Sequence, residues 1–300
     1  MDCGLLDRSE RGKLALTGAD RKAFLNGQVT NDVEALAEGQ GCYAAFLTPK
    51  GKMLGDLRVL DVGPPTQELL LDTERVALQP LFDLVRRFSI GHDVQLHKRT
   101  VETGLLSLVG PGARGAAGAT DLPATEHAHR AGDIAGRPVR LVVTDVGVDV
   151  LCAAADTEAV AAALREAGAE PIDEAAAEVL RVEHGRPRYG VDLDDSVIPQ
   201  EAGLNDRAVS FTKGCYVGQE TVARLHYKGK PNRHLRGIRL AAPAAAGTPL
   251  TLAGKEVGRV SSPVVSPRLG PVALALVRRE APPGTQLDDG SAVVELPFDA

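Results

Sequence analysis

The sequence predicts an α+β fold with antiparallel sheets and a small all-β unit at its C-terminal end. Three observations carry that expectation. Up to Val109 the apolar runs follow the order strand, strand, helix, strand, strand, which suits a sheet covered on one face by helices. Beyond Arg233, short strands alternate with Gly and Pro turns, as in a small barrel or sandwich. The composition, 44% hydrophobic and 25% charged over 300 residues, is that of a globular chain long enough for two or three cores.

Each element follows from local pattern. Leu14 to Thr17 reads as a strand. Asp20 to Leu25 reads as a short helix stopped by Asn26-Gly27, with Gly27 in the left-handed position after a helix. Gly41 to Leu47 is the next apolar run, closed by the turn Thr48-Pro49-Lys50-Gly51. Asp56 to Val62 and Leu69 to Leu71 are strands joined across Pro64-Pro65. Pro80 opens a helix, where its missing N–H costs nothing. Leu81, Leu84, Val85 and Phe88 then share one buried face. Val94 to Leu96 and Leu105 to Val109 are further strands. Residues 114–137, rich in Gly, Ala and His, read as a mobile loop or short helix. Val139 to Thr144 and Val148 to Cys152 bracket a hairpin turn. Asp156 caps a helix that buries Val160, Ala163, Leu164 and Ala167 and ends at Gly168. The C-terminal strands are Gly237–Leu240, Pro249–Leu252, Val257–Ser261, Val272–Val277 and Ala292–Leu296.

Bulk properties narrow the function classes. A net charge of −6 argues against general nucleic-acid coating, so no direct nucleic-acid binding is expected. No apolar run is long enough to span a membrane. The first residues lack the basic-then-apolar pattern of a signal peptide, and the cytoplasm is the expected location. The four cysteines, Cys3, Cys42, Cys152 and Cys215, show no paired spacing, so free thiols are expected, with neither a disulfide framework nor a metal site.

The strongest local signal is Lys213-Gly214-Cys215-Tyr216-Val217-Gly218-Gln219-Glu220. Its two glycines permit backbone shapes that other residues resist. In an extended segment Lys213 and Cys215 share a face, and an ammonium beside a thiol enriches the reactive thiolate. Glu220 could orient the lysine or accept a proton. The competing reading of Cys215 is a small buried hydrophobe. Arg224, His226, Lys228 and Lys230 then recur at every second position, and no Asp or Glu occurs from Thr221 through Lys255. A strand there would present one cationic edge, able to bind a polycarboxylate, a phosphate or a nucleic-acid backbone, or simply be solvated. Asp56, after a Gly-rich turn, could accept hydrogen bonds from a ligand's N–H groups. Glu183 is a carboxylate at a helix end among cations. For both, a surface salt bridge is the alternative.

The 213–220 run resembles the K-G-C-Y-x-G-Q-E signature of the YgfZ family, a branch of the folate-binding fold shared with the glycine-cleavage T-protein, an aminomethyltransferase. Phe24 through Val33 is similar to the family's amino-terminal motif. Arg181 through Gly190 and Ile198 through Gly203 are similar to further family motifs, and 257–262 and 266–270 resemble the T-protein's final barrel. The resemblance covers nearly the whole chain. It implies a three-domain T-protein-like ring around tetrahydrofolate or a folate derivative. Two α+β domains with antiparallel sheets would be residues 1–48 with 170–231, and residues 49–169 in a ferredoxin-like arrangement. Residues 232–300 would form the β-barrel.

Several residues take roles from the resemblance. Asp56 matches the acid that contacts the folate and assists methylene transfer. Tyr43, Glu183 and Tyr189 fall at pterin-side positions, Asn31 is a further cofactor-binding position, and Arg224 falls near the folate tail. Two departures matter. Gly55-Asp56 stands where T-proteins carry paired acids, and Cys215 stands where they carry an acid. Both favour the YgfZ branch, which implies support of iron–sulfur enzymes, including tRNA-modifying ones, with Cys215 as a reactive thiol. The partners implied are iron–sulfur enzymes or their assembly factors. A folate-dependent one-carbon transferase and a non-catalytic module that inherited the fold are the alternatives, so whether the chain is an enzyme stays open.

Overall fold

A computed structural model describes residues 2–298. The chain divides into two compact units, one built from Met1–Phe46, Leu54–Glu174 and Thr212–Val217, the other from Leu47–Met53, Ala175–Phe211 and Gly218–Ala300.

The first unit contains β1 (Gly4–Asp7), β2 (Gly12–Thr17), α1 (Arg21–Asn26), β3 (Gly41–Leu47), β4 (Met53–Gly63), β5 (Glu68–Thr73), α2 (Leu78–Phe88), β6 (Gln95–Lys98) and β7 (Thr103–Val109). It continues through α3 (Ala113–Ala116), β8 (His129–Ile134), β9 (Arg137–Val143), β10 (Gly147–Ala153), α4 (Thr157–Glu166) and β11 (Glu170–Pro171). The strands form two sheets, ordered β3-β4-β5-β2-β6 and β11-β1-β7-β10-β9-β8. The registered pairs are antiparallel except the short β1·β11 pair.

Alternation along the strands decides what each face meets. On the six-stranded sheet, Leu106, Leu108, Val139, Leu141, Val148 and Val150 turn toward Val160 and Leu164 of α4 and form one core. Ser107, Arg140, Val142, Asp149 and Leu151 take the opposite face. There Leu151 and Val142 pack on Leu60 of β4 and Leu70 of β5. The two sheets therefore lie face to face, with α3 and α4 on the outside of one and α1 and α2 against the other.

The shared face is also ionic. Arg58 pairs with Asp72 and with Asp149, both at 2.6 Å, while Arg11 reaches Asp72 at 2.7 Å. Ser107 Oγ donates to Asp149 at 2.7 Å. This explains one break in the apolar alternation of β4, the buried Arg58; Asp61 is buried on the opposite face of the sheet, where it pairs with Lys22 of α1 at 2.6 Å.

The second unit has α5 (Glu174–Glu183), α6 (Asn205–Ala208), α7 (Gln219–Lys228) and β12 (Arg233–Arg239), β13 (Pro249–Leu252), β14 (Lys255–Ser266), β15 (Gly270–Arg278) and β16 (Ala292–Val294). Its antiparallel sheet has the order β13-β14-β15-β12-β16. One face buries Ile238, Val260, Ala273, Ala275 and Val277. The other buries Val272 and Leu274 with Val182 of α5 and Phe298. Burial on both faces explains why β15 reads as a continuous apolar run.

Several expectations change. Gly27 has φ −73°, so α1 ends without a left-handed glycine. Phe88, last in α2, is 45% exposed, whereas Leu81 and Val85 are fully buried. Asp156 sits at the N-cap of α4 without a side-chain capping bond and instead pairs with Arg137. Ala167 lies beyond the helix and is exposed, while Ala161 is buried. The stretch 114–137, expected as a mobile loop or short helix, holds the end of α3 and also the strand β8, which pairs with β9 along its whole length. No helix among the described residues is long and apolar enough to cross a membrane.

Candidate functional site

Asp56 sits on β4, 5% exposed. Tyr43 on the neighbouring β3 donates its Oη to Asp56 Oδ2 at 2.7 Å, and Thr73 on β5 donates to the Asp56 carbonyl at 2.5 Å. Side chain and main chain are thus each held from an adjacent strand. The preceding Gly55 has a packing reason: a Cβ there would approach the Phe46 ring at 2.5 Å and Ala77 Cβ at 2.6 Å. A second acid before Asp56 would collide with the core.

Asn31 ties this strand pair to the loop after α1. Its Nδ2 donates to the Tyr43 carbonyl at 2.8 Å, and its Oδ1 accepts from the Asp32 N–H at 2.9 Å. The Asn31 carbonyl in turn accepts from Lys213 Nζ at 2.9 Å, as does the Val29 carbonyl at 2.8 Å. The Asn26 carbonyl takes a further bond from the same ammonium. The Val217 N–H donates to the Gly27 carbonyl at 3.3 Å. Residues 212–217 are therefore stitched onto the 26–31 loop. Tyr216 is buried, with Lys213 Nζ 5.2 Å from its ring centre, and burial pushes its phenol up to about 12.

Cys215 is solvent-exposed. The thiol of the signature is thus available at the surface, and the small-buried-hydrophobe reading fails for it. The expected pairing with Lys213 does not form. The segment is irregular rather than extended, and the ammonium is committed to backbone carbonyls. Burial lowers the Lys213 pKa to about 8, opposed by Asp32, Cys42 and Glu34. The thiol that feels this ammonium is Cys42 on β3, which burial nonetheless pushes up to about 12. Cys42 is accordingly a poor nucleophile at neutral pH.

Of the two signature glycines, only Gly218 is conformationally required. Its φ is 85°, and a Cβ would meet the Thr48 carbonyl oxygen at 2.6 Å. Gly214 has open space around it and no positive φ.

In the second unit, Glu183 ends α5 and is 9% exposed, not a surface salt bridge. It accepts from Ser266 Oγ at 2.5 Å and from Arg268 at 3.3 Å. Tyr189 Oη lies 3.4 Å from the Met53 carbonyl. Arg224, Gln219 and Glu220 lie on α7. That segment is a helix, so the cationic strand edge expected from 224–230 does not exist. Arg224 and Lys228 share a helical face at i, i+4, while the His226 ring stacks on Phe211 at 3.8 Å. The motif at 181–190 is largely architectural. Arg181 pairs with Glu178 and Asp192, both at 2.7 Å, and donates to Ser262 at 2.6 Å.

The structure thus brings Asp56, Tyr43, Asn31 and Lys213 onto one hydrogen-bonded network within the first unit, with Cys215 exposed two residues beyond Lys213 on the same loop. Glu183, Tyr189 and Arg224 belong to the second unit. Sequence reasoning missed Thr73 and the anchoring role of Lys213. Neither carries a local signal, since each acts on residues distant along the chain. Among the described residues, no group of three or more His, Cys, Asp or Glu side chains is placed to hold a metal ion.

The sequence profile of the GCVT N-terminal domain matches residues 1–213. The chain belongs to the GCVT family. A chloroplastic protein of Arabidopsis thaliana named for a transferase is 31% identical over 86% of this chain, and the chain spans 61% of that relative's length. An aminomethyltransferase of Streptomyces avermitilis is 30% identical, with 94% of this chain and 80% of the relative aligned. One of Chloroherpeton thalassium is 29% identical, with 92% and 79% aligned. The crystal structure of the glycine cleavage system aminomethyltransferase T from Bartonella henselae superposes with a TM-score of 0.86, covering 99% of this chain and 86% of that one. At 24% identity, that likeness establishes a shared mixed α+β fold with antiparallel sheets.

Proposed function

We propose that this GCVT-family chain is a YgfZ-type protein that binds tetrahydrofolate and supports the assembly or repair of iron–sulfur enzymes, tRNA-modifying ones included, through Cys215. The observation that carries the reading is the run of hydrogen bonds from the exposed-thiol loop through Lys213, Asn31 and Tyr43 to Asp56. A buried carboxylate oriented by a tyrosine is suited to accept N–H donors of a reduced pterin. An exposed thiol on a loop anchored to the same network suits contact with a second protein. In this reading Asp56, Tyr43 and Asn31 serve the pterin, with Glu183 and Tyr189 as further folate contacts and Arg224 as a cation for the folate's acidic tail.

Calorimetric titration with tetrahydrofolate tests the binding half. Saturable heat that disappears in Asp56→Asn supports it, and an inert scaffold shows no heat. Complementation of an iron–sulfur enzyme defect tests the thiol. Cys215→Ser should retain fold and folate binding but lose complementation, and full function in that variant overturns the thiol's role.

A second reading, folate-dependent aminomethyl transfer, is favoured by the strand-held Asp56 and by the names of the relatives. Incubation with an aminomethylated lipoyl carrier and tetrahydrofolate decides it. Methylene-tetrahydrofolate must form in the wild type and fail to form in Asp56→Asn.

A further inference from the structure

Between the two facing sheets of the first unit lies a cavity of about 380 Å³ that the folate reading does not use. Leu60, Leu70 and Leu151 line it, with Leu60 four positions beyond Asp56 on β4, and Arg140 and Glu68 line the same wall. Its volume falls within the range of about 300–1,000 Å³ common for small-molecule sites.

Arg140 distinguishes this cavity from a packing gap. Its guanidinium is half-buried, and Nη1 donates to His129 Nδ1 at 2.8 Å. His129 Nε2 faces the Gln40 carbonyl at 3.1 Å. A carbonyl can only accept, so the ring proton sits on Nε2 and Nδ1 accepts from the arginine. Burial, together with the charge of Arg140, holds the His129 pKa at about 4, so the imidazole is neutral at physiological pH. His129 therefore orients Arg140 without neutralising it, while Glu68 and Glu38 act on its charge from beyond ion-pair distance. The buried Arg58 and the partly exposed Arg11 each pair with carboxylates. Among the described residues no carboxylate forms an ion pair with Arg140.

We propose that this cavity binds a small aliphatic monocarboxylate, with its anion on Arg140 and its hydrocarbon chain against Leu60, Leu70 and Leu151. A carboxylate matches the planar fork of a guanidinium, and the leucines supply apolar surface for a branched or straight chain. Of the other cations in the lining, Arg99 is held by Glu68 and Glu102 and Lys13 donates to the Ser9 and Arg11 carbonyls, which leaves Arg140 to take the single carboxylate of the ligand.

Calorimetric titration with 4-methylpentanoate is the test, with 4-methylpentan-1-ol and tetrahydrofolate as controls. Saturable binding of the acid is expected, weakened at least about tenfold in Arg140→Gln by loss of a charge-assisted bond. Leu70→Phe, which fills the cavity and keeps the guanidinium, should weaken it similarly, and it decides the matter if Arg140→Gln does not fold. Tetrahydrofolate affinity should be unchanged in both variants, which separates this site from the one containing Asp56. Equal binding of the alcohol, undiminished binding in a folded Arg140→Gln or in Leu70→Phe, or no saturable heat up to about 10 mM, well above the ~1 mM scale of weak ligands, overturns the proposal.

Discussion

Asp56 and Cys215 sit at opposite extremes of exposure, and each suits the task proposed for it. A carboxylate that must recognise a ligand gains from burial and a fixed orientation, because a hydrogen bond formed away from water is stronger. A thiol that must meet another protein needs access. Replacing Asp56 by Asn should reduce tetrahydrofolate affinity by about 10–100-fold, the scale of a lost charged hydrogen bond, as read by titration calorimetry. Tyr43→Phe removes only the orienting hydroxyl at 2.7 Å and should cost about tenfold at most in the same measurement, with the fold intact. Cys215→Ser should leave thermal stability within about 0.5 kcal/mol of wild type, because the side chain is exposed, while abolishing complementation.

At the scale of elements, the 212–217 loop depends on one ammonium. Lys213→Met would strand the carbonyls of Asn26, Val29 and Asn31 and should destabilise the loop by about 1–3 kcal/mol. Hydrogen exchange at the Val217 amide, bonded to Gly27, should accelerate if the clamp works as described. None of this was legible in the sequence, where Lys213 was paired with the thiol two residues away. Its real partners lie more than 180 positions distant. The 224–230 segment misled for another reason. Alternating cations imitate a strand, but the same spacing places Arg224 and Lys228 one helical turn apart, and Val222 is the residue α7 buries. Strand β8 was hidden because His129, Arg130, Gly132 and Asp133 resemble loop composition, and pairing with β9 overrides that local preference. In the C-terminal sheet β15 is readable because both its faces are apolar, and the other strands because Gly and Pro turns punctuate them.

For the molecule as a whole, the face shared by the two sheets carries the largest electrostatic stakes. Arg58→Ala leaves Asp72 without its 2.6 Å partner and Asp149 uncompensated, and should cost about 3–5 kcal/mol in chemical denaturation. Acid should weaken the same region. His129 has a pKa near 4 when folded against about 6.5 when unfolded, so the unfolded chain binds the extra proton between those values. Stability from this group is present above pH 6.5 and lost as pH falls toward 4, by up to about 3 kcal/mol. Burial is the main cause, and Arg140 adds to it. His129→Gln, which keeps an acceptor for Arg140, should flatten the pH dependence of the melting temperature across that window. The route of the backbone has a separate consequence. Thr212–Val217 returns to the first unit although the residues on either side of it belong to the second. A fragment truncated after Glu174 would keep both facing sheets yet lose the lysine that ties down the turn following α1. No single proteolytic nick can free that half in its native form, and a designer wishing to express it alone would have to graft the six-residue excursion back by circular permutation.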